Sequence, residues 1–179
     1  MATPRRIGSP EIQYAIEQLA LTIARRHPGR PPVLLGIANG GITLARRLAA
    51  QMTQVPDGPA HVPVGVIDIS FHRDDIGRNP IPKEFAPTQI PGDVSGATVV
   101  LVDDVLFSGR TVKAALDELF DHGRPAKVEL AVLVDRGGRK LPVAADYCGL
   151  TLAVADGEKV VGRLDAGDPA TDSVAVLAL

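Results

Sequence analysis

Residues 99–111 read Val99-Val100-Leu101-Val102-Asp103-Asp104-Val105-Leu106-Phe107-Ser108-Gly109-Arg110-Thr111. The apolar residues over 98–102 predict a strand that is buried on both faces. Two carboxylates follow at its carboxyl end, then a turn, and the apolar spacing over 111–122 predicts a helix that Gly123 closes. This order of strand, turn and helix is typical of open α/β sheets, in which ligands bind beyond the carboxyl ends of the strands.

The sequence on both sides of this stretch repeats the alternation of strand and helix. Upstream, Ser9 as N-cap and Pro10 as the first helical residue begin one helix, and residues 33–37 predict a strand that a turn over 38–41 joins to a second helix. Downstream, residues 127–134 predict another strand. The expected fold class is therefore α/β, with an open, mostly parallel sheet and helices on both faces.

One long stretch fits no regular element. Residues 62–70 predict a strand, but residues 71–92 contain four prolines and two glycines. Such a stretch inside a compact domain is expected to be functional, because most connections are only about 4–6 residues long. We therefore expect a flexible flap over about 71–92.

The last part of the chain changes pattern again. Short strands over 152–154 and 159–164, joined by a hairpin turn at Asp156-Gly157, are predicted there. They indicate a small C-terminal β hood over about 136–179. With 179 residues, the chain is expected to form a single domain over 1–179.

Composition excludes several classes of protein. A net charge of -2 is unlike that of a protein that coats nucleic acid nonspecifically. The single cysteine, Cys148, excludes a disulfide framework or a cysteine-based zinc site within one chain. Because no secretory leader and no apolar run of membrane-spanning length is visible, we expect a cytoplasmic protein that does not enter a membrane.

The central stretch also predicts the chemistry of the ligand. A helix N-terminus binds phosphate, and Ser108, Gly109 and Thr111 add hydroxyls and a close backbone approach. Asp103 and Asp104 would repel the same phosphate, so they are expected to face neutral hydroxyls or a cation. A phosphorylated sugar meets both demands. The structural alternative is that the two aspartates only cap the following helix.

The stretch over 102–111 closely resembles the phosphoribosyl-pyrophosphate (PRPP) binding motif of type I phosphoribosyltransferases. Together with residues 67–75 (IDISFHRDD) and 133–142 (LVDRGGRKLP), it resembles the family of pyrimidine-operon regulators and uracil phosphoribosyltransferases, PyrR. The resemblance implies that uracil displaces pyrophosphate from PRPP to give UMP, with Mg²⁺ held by the pyrophosphate and the ribose hydroxyls.

The resemblance also implies roles for individual residues. Phe107 stands where relatives that salvage purines carry an aspartate, and a phenylalanine cannot do acid-base work, so a pyrimidine is favoured. For Arg136 the alternative is an ion pair with Asp135 or Asp146. The implied site consists of Asp103, Asp104 and Arg73 as catalytic residues, Gly40 and Gly41 at the pyrophosphate, Val105, Leu106, Phe107, Ser108, Gly109, Arg110 and Thr111 around the 5-phosphate, and Arg136 and Val160 at the base.

The sequence departs from the family pattern at two places. Many members have Lys-Thr-Arg-Gly in the pyrophosphate turn, whereas this chain has Ala38-Asn39-Gly40-Gly41 and so lacks both cations. Glycines still let backbone N–H groups reach an anion. At Gly138, members with a regulatory role tend to carry histidine, which weakens the expectation of RNA binding.

The family resemblance further implies partners. It implies the leader mRNA of a pyrimidine operon and a homodimer or higher homo-oligomer. Two other functions stay open: a nucleotide-sensing, RNA-binding regulator without catalysis, and a phosphoribosyltransferase for another base, such as hypoxanthine or orotate. The basic residues that could contact RNA, or could simply be solvated, are Arg5, Arg6, Arg25, Arg26, His27, Arg30, Arg46, Arg47, Arg139 and Lys140.

Overall fold

A computed structural model of the chain describes residues 5–70 and 87–179. Its centre is a five-stranded sheet in which every neighbouring pair of strands is parallel. The predicted α/β fold with a mostly parallel sheet is confirmed. The strand order across the sheet is β3 (Val64–Ile67), β2 (Val33–Ile37), β4 (Thr98–Leu106), β5 (Lys127–Asp135) and β6 (Tyr147–Thr151).

Helices cover both faces of this sheet, as predicted. Successive residues of a strand point to opposite faces, so each strand contributes to two separate cores. One core joins alternate strand residues to the helices α1 (Ser9–Arg26) and α2 (Gly40–Met52). The other joins the remaining strand residues to α3 (Arg110–His122).

The hood is an antiparallel sheet whose composition differs from the prediction. Its strand order is β1 (Arg6–Gly8), β8 (Ser173–Ala178) and β7 (Glu158–Arg163). The expected hood over about 136–179 is therefore wrong in part, because β6 lies in that range but belongs to the main sheet, and β1 comes from the other end of the chain. A short 3₁₀ helix, Pro169–Thr171, precedes β8.

The hairpin predicted at Asp156-Gly157 is also wrong. The turn exists, and Gly157 has the positive φ of 86° that favours glycine there. Residues 152–155 before it form no strand, and β7 after it pairs with β8. The turn therefore connects the main sheet to the hood instead of joining two paired strands.

Two element boundaries near the central stretch differ from the prediction. Strand β4 continues through Leu106, so Asp103 and Asp104 lie inside it and not after it. Strand β3 is shorter than the predicted 62–70.

The start of α1 differs from the prediction, and most of the expected flap falls outside the described part of the chain. Ser9 is not the N-cap of α1: Gly8 occupies that position, and the Ser9 hydroxyl donates to the Pro169 carbonyl at 2.7 Å. Most of the expected flap, residues 71–86, lies outside the described residues. After it, Gln89 exchanges backbone hydrogen bonds of 2.8 and 2.9 Å with Val66 of β3.

Candidate active site

The turn between β4 and α3 brings the N-terminus of α3 to a cavity, and the Ser108 hydroxyl accepts from the Arg110 amide there at 3.3 Å. Gly109 is the residue before the helix; its φ is 91°, and it has no side chain with which to cap the first amides. The positive end of the helix dipole is therefore available to an anion. Ser108 and Thr111 border the same space.

A cavity of about 380 Å³ lies in front of this turn. Its volume is in the range of small-molecule sites. The structure thus brings together the turn after β2, the acidic pair of β4 (Asp103 and Asp104) and the start of α3. In the sequence, only the family resemblance connects the turn after β2 with the other two. The lining residues are Ala38, Asn39, Gly40, Ile69, Asp103, Asp104, Val105, Ser108, Arg110 and Thr111.

The two aspartates are bonded within their own strand. Asp103 accepts from the Asp104 amide at 3.0 Å, and Asp104 accepts from the Val105 amide at 2.9 Å. Because these donors belong to β4 and not to α3, the alternative that the aspartates only cap the helix is wrong. Each uses one carboxylate oxygen, Oδ1, in these bonds.

Burial sets the electrostatics of this pair. Asp103 is 6% exposed, and burial together with the neighbouring Asp104 charge raises the pKa of Asp103 well above its usual range. Burial also raises the pKa of Asp104. Removing a carboxylate from water disfavours its charged form. Hydroxyl donors or a cation would stabilise the charged carboxylates in this buried position. A ribose supplies such hydroxyls, and a metal bound with it supplies the cation.

Glycines allow the backbone to approach the acidic pair. A Cβ atom on Gly40 would lie 2.4 Å from an Asp104 carboxylate oxygen, and one on Gly41 would lie 1.9 Å from the Val102 carbonyl oxygen. From the hood, a Cβ on Gly162 would lie 3.1 Å from Asp104. Asp104 is therefore enclosed by two glycine-lined elements.

Arg139 supports the turn from beneath. Its guanidinium donates to the Phe107 carbonyl at 2.8 Å and pairs with Asp135, and the backbone amide of Lys140 donates to the Ser108 carbonyl at 3.0 Å. The pairing with Arg139 keeps the pKa of Asp135 below its ordinary value. The sequence groups Arg139 with the RNA candidates. It gives no signal for this structural role, because four-residue spacing indicates an ion pair only on a helix and residues 136–139 form no helix.

Phe107 and Arg136 lie at a second cavity of about 350 Å³, on the side of the turn towards β7. The Arg136 guanidinium carbon is 4.1 Å from the centroid of the Phe107 ring, and its Nη1 donates to the Glu158 carbonyl at 2.9 Å. Val160 lines the same cavity. The expected base-side residues therefore share one pocket.

The proposed ion pair of Arg136 is not the arrangement observed. Asp135 pairs with Arg139, and Asp146 accepts from the Leu130 amide at 2.8 Å. Gly138 has a φ of 74°, and a Cβ there would lie 2.6 Å from the Phe107 ring. A side chain at position 138, such as histidine, would therefore collide with Phe107 in its present position.

Other predicted residues have different positions. Arg73 lies outside the described residues. Arg47 pairs with the buried Asp172, and His27 contacts Glu129 at 2.8 Å, so both have structural partners. Arg26 stacks over the Tyr147 ring. The remaining RNA candidates, Arg5, Arg6, Arg25, Arg30, Arg46 and Lys140, are exposed.

The donor set indicates how a metal would be held. Within residues 5–70 and 87–179, no group of three or more His, Cys, Asp or Glu residues could hold a metal ion. Mg²⁺ commonly uses one or two carboxylates together with substrate phosphates and water. Asp103 and Asp104 fit that mode of binding. Separately, none of the described helices has both the length and the apolar character needed to cross a membrane.

Comparisons with known proteins agree with this geometry. The model of the phosphoribosyl transferase domain family matches residues 7–162. A bifunctional protein PyrR from a Roseiflexus species is 45% identical over 179 residues, covering 99% of this chain and 96% of that protein. Another, from Streptomyces coelicolor, is 49% identical over 160 residues, covering 88% and 81%.

Solved structures show the same fold at lower identity. A hypoxanthine-guanine phosphoribosyltransferase from Bacillus anthracis has a TM-score of 0.68 at 21% identity, covering 99% of this chain and 100% of that chain. A hypoxanthine phosphoribosyltransferase from Trypanosoma cruzi has a TM-score of 0.69 at 23% identity, covering 96% and 95%. The chain belongs to the phosphoribosyl transferase domain family and, within it, to the PyrR family.

Proposed function

We propose that this chain is a uracil phosphoribosyltransferase, which converts uracil and PRPP into UMP and pyrophosphate. The observation that carries the proposal is the cavity in front of the β4–α3 turn. It combines a buried acidic pair with the N-terminus of α3, as a sugar with hydroxyls and a 5-phosphate requires. Membership of the PyrR family supports the choice of reaction.

Each part of the substrate then has a proposed position. The ribose hydroxyls donate to Asp103 and Asp104, and the 5-phosphate accepts from the turn and the first amides of α3, over 108–111. Pyrophosphate lies at Gly40 and Gly41. When bound with PRPP, Mg²⁺ would neutralise phosphate charge, and the acidic pair would hold it directly or through water.

The reaction is a substitution at the ribose carbon C1′. A bond forms between uracil N1 and C1′, while the bond from C1′ to the pyrophosphate oxygen breaks and its electron pair leaves with pyrophosphate. The N1 proton passes to water. Positioning and stabilisation of the leaving charge carry such a reaction, and we assign part of that task to Arg73.

Phe107 and Arg136 favour a pyrimidine in the adjoining pocket. The Phe107 ring is fixed by the guanidinium and offers no acid or base. A panel of uracil, hypoxanthine, guanine and orotate, each incubated with PRPP and Mg²⁺, tests this choice. We expect a nucleotide from uracil alone; preferential conversion of hypoxanthine or orotate would contradict it.

We also propose that the chain regulates a pyrimidine operon by binding its leader mRNA in response to UMP. The support is the word bifunctional in the names of its relatives and the exposed basic residues on α1 and α2. Filter binding of the leader transcript, with and without UMP, is the test. Binding must weaken steeply with salt if phosphates are contacted. Absent or salt-insensitive binding would contradict the regulatory role, and RNA binding without UMP synthesis would favour a regulator that lacks catalysis.

We further propose that the protein acts in the cytoplasm as a homodimer or higher homo-oligomer. Light scattering of the purified chain measures the assembly directly. A mass equal to one chain at micromolar concentration would contradict this part of the proposal.

A further inference from the structure

A third cavity, of about 480 Å³, lies between the start of α2 and the hood. On one side it is lined by Asn39, Gly40 and Asp104, and on the other by Arg163, Asp165 and Thr171. Asn39, Gly40 and Asp104 also line the cavity in front of the β4–α3 turn. The two cavities are therefore neighbours that share the turn after β2 and one member of the acidic pair.

The turn after β2, residues 38–41, cannot place a positively charged side chain in this space from its third position, Gly40. A side chain on Gly40 would begin with a Cβ only 2.4 Å from the Asp104 carboxylate. Real side chains do not tolerate such a distance, so Asp104 and a residue with a side chain at position 40 compete for one volume. The two other residues at the start of the turn, Ala38 and Asn39, are uncharged.

Arg163 brings a positive charge to the same space from the hood. It ends β7 directly after Gly162, whose missing side chain lets the hood approach Asp104. Among the lining residues in the described part of the chain, it is the only cation. Its guanidinium is exposed and has no hydrogen bond or ion pair within residues 5–70 and 87–179. By contrast, the nearby Arg47 is already paired with Asp172.

The two carboxylates of the cavity determine the form of its ligand. Asp165 accepts from the amides of Gly167 and Asp168 at 2.8 Å each, so one of its oxygens is occupied within its own loop. Asp104 belongs to the acidic pair. The two carboxylates repel a polyanion that has no bound cation. A polyanion with a bound divalent cation suits the cavity better, because the cation attracts the carboxylates while the anion attracts Arg163.

We infer that Arg163 of the hood binds the pyrophosphate group and replaces, from another element, the cations that the turn after β2 lacks. This inference rests on the proposed function, because it assigns the pyrophosphate half of PRPP to the third cavity. Arginine suits the role, since its planar guanidinium donates two parallel hydrogen bonds to phosphate oxygens. Arg163 is then a residue that acts on PRPP and pyrophosphate but not on UMP, which has no pyrophosphate.

Calorimetric titration with magnesium pyrophosphate and, separately, with UMP tests the inference. Arg163→Gln should weaken the binding of magnesium pyrophosphate roughly tenfold or more, because a charge-assisted hydrogen bond is lost. The affinity for UMP should stay within about twofold of the wild-type value, because Arg163 is expected to make no contact with UMP. Arg163→Lys should fall between the wild type and the glutamine variant, since it keeps the charge without the paired donors.

The matched control is Arg124→Gln, which removes an exposed arginine that lines none of the three cavities. It should bind both ligands as the wild type does. Wild-type affinity of Arg163→Gln for magnesium pyrophosphate, an equal loss of affinity for UMP, or a wild-type chain that does not bind magnesium pyrophosphate would each overturn the inference. Neither titration requires turnover, so a chain that binds pyrophosphate through Arg163 but makes no UMP would contradict only the proposed reaction.

Discussion

At the scale of single residues, we expect the largest loss of activity from substitutions in the acidic pair, Asp103 and Asp104. Asp104→Asn keeps the shape of the side chain but removes the charge that would hold ribose hydroxyls and a metal. We expect UMP formation to fall by roughly 10- to 100-fold, as for the loss of hydrogen bonds to a charged group. Steady-state assays with uracil and PRPP measure the effect.

The control for this substitution is Asp117→Asn. Asp117 is a partly exposed carboxylate on α3 that pairs with Lys113 and lines none of the three cavities. Asp117→Asn should leave the rate of UMP formation unchanged. If Asp104→Asn retained the wild-type rate, the assignment of the acidic pair would be wrong.

Gly40 gives a second prediction at this scale. In Gly40→Ala the added methyl group would collide with the Asp104 carboxylate at 2.4 Å, so either the turn or the carboxylate must move. We expect weaker binding of PRPP by calorimetry. Gly8→Ala, where the new Cβ meets only an ordinary contact at 3.8 Å, is the control. Equal affinities of the two variants would show that Gly40 does not need to be a glycine.

At the scale of elements, the β4–α3 turn depends on the segment after β5. Arg139 donates to the Phe107 carbonyl and pairs with Asp135, and so it connects this segment to the turn. We expect Arg139→Gln to raise the KM for PRPP several-fold, with Arg124→Gln as the control. A normal KM together with weaker RNA binding would instead support the role in RNA recognition that the sequence suggested.

The elements that the sequence predicted are those whose signals are local. The apolar run of β4, the spacing of apolar residues in α3 and the glycine that closes it are all read within one segment. The cavity in front of the turn could be expected for the same reason, because the motif over 102–111 contains both the carboxylates and the helix start.

The elements that the sequence missed depend on distant partners. β1 is three residues long and exists because β8 pairs with it. β6 joins the open edge of β5, and β7 pairs with β8 across the chain and not with the residues before its turn. Likewise, the structural roles of Arg47 and Arg139 depend on partners that a pattern of charges does not reveal.

At the scale of the whole molecule, a polar cluster ties α1 to two strands of the sheet. Glu129 of β5 is 3% exposed and accepts from the Tyr147 hydroxyl of β6 at 2.7 Å. It also contacts His27, at the end of α1, and Lys127. Burial alone would raise the pKa of Glu129, but the Lys127, Tyr147 and His27 partners outweigh it and lower that pKa from 4.5 to about 2. Burial and the Glu129 charge raise the pKa of Tyr147.

This cluster predicts how stability depends on pH. A carboxylate with a lowered pKa in the folded state stabilises the fold fully above its unfolded pKa, and this contribution is lost as pH falls from about 4.5 towards 2. The contribution is on the order of 3 kcal/mol. Urea unfolding between pH 2 and 7 should show a steep acid limb in the wild type and a flatter one in Glu129→Gln. An identical pH dependence of the two proteins would contradict the predicted contribution.

The central claim is that the space in front of the β4–α3 turn binds an activated ribose 5-phosphate. Titration calorimetry of the purified chain with PRPP and Mg²⁺ tests it most directly, with the double variant Asp103→Asn, Asp104→Asn as reference. We predict one saturable site per chain in the wild type and a large loss of affinity in the variant. No binding by the wild type, or binding that the two substitutions leave unchanged, would contradict the account.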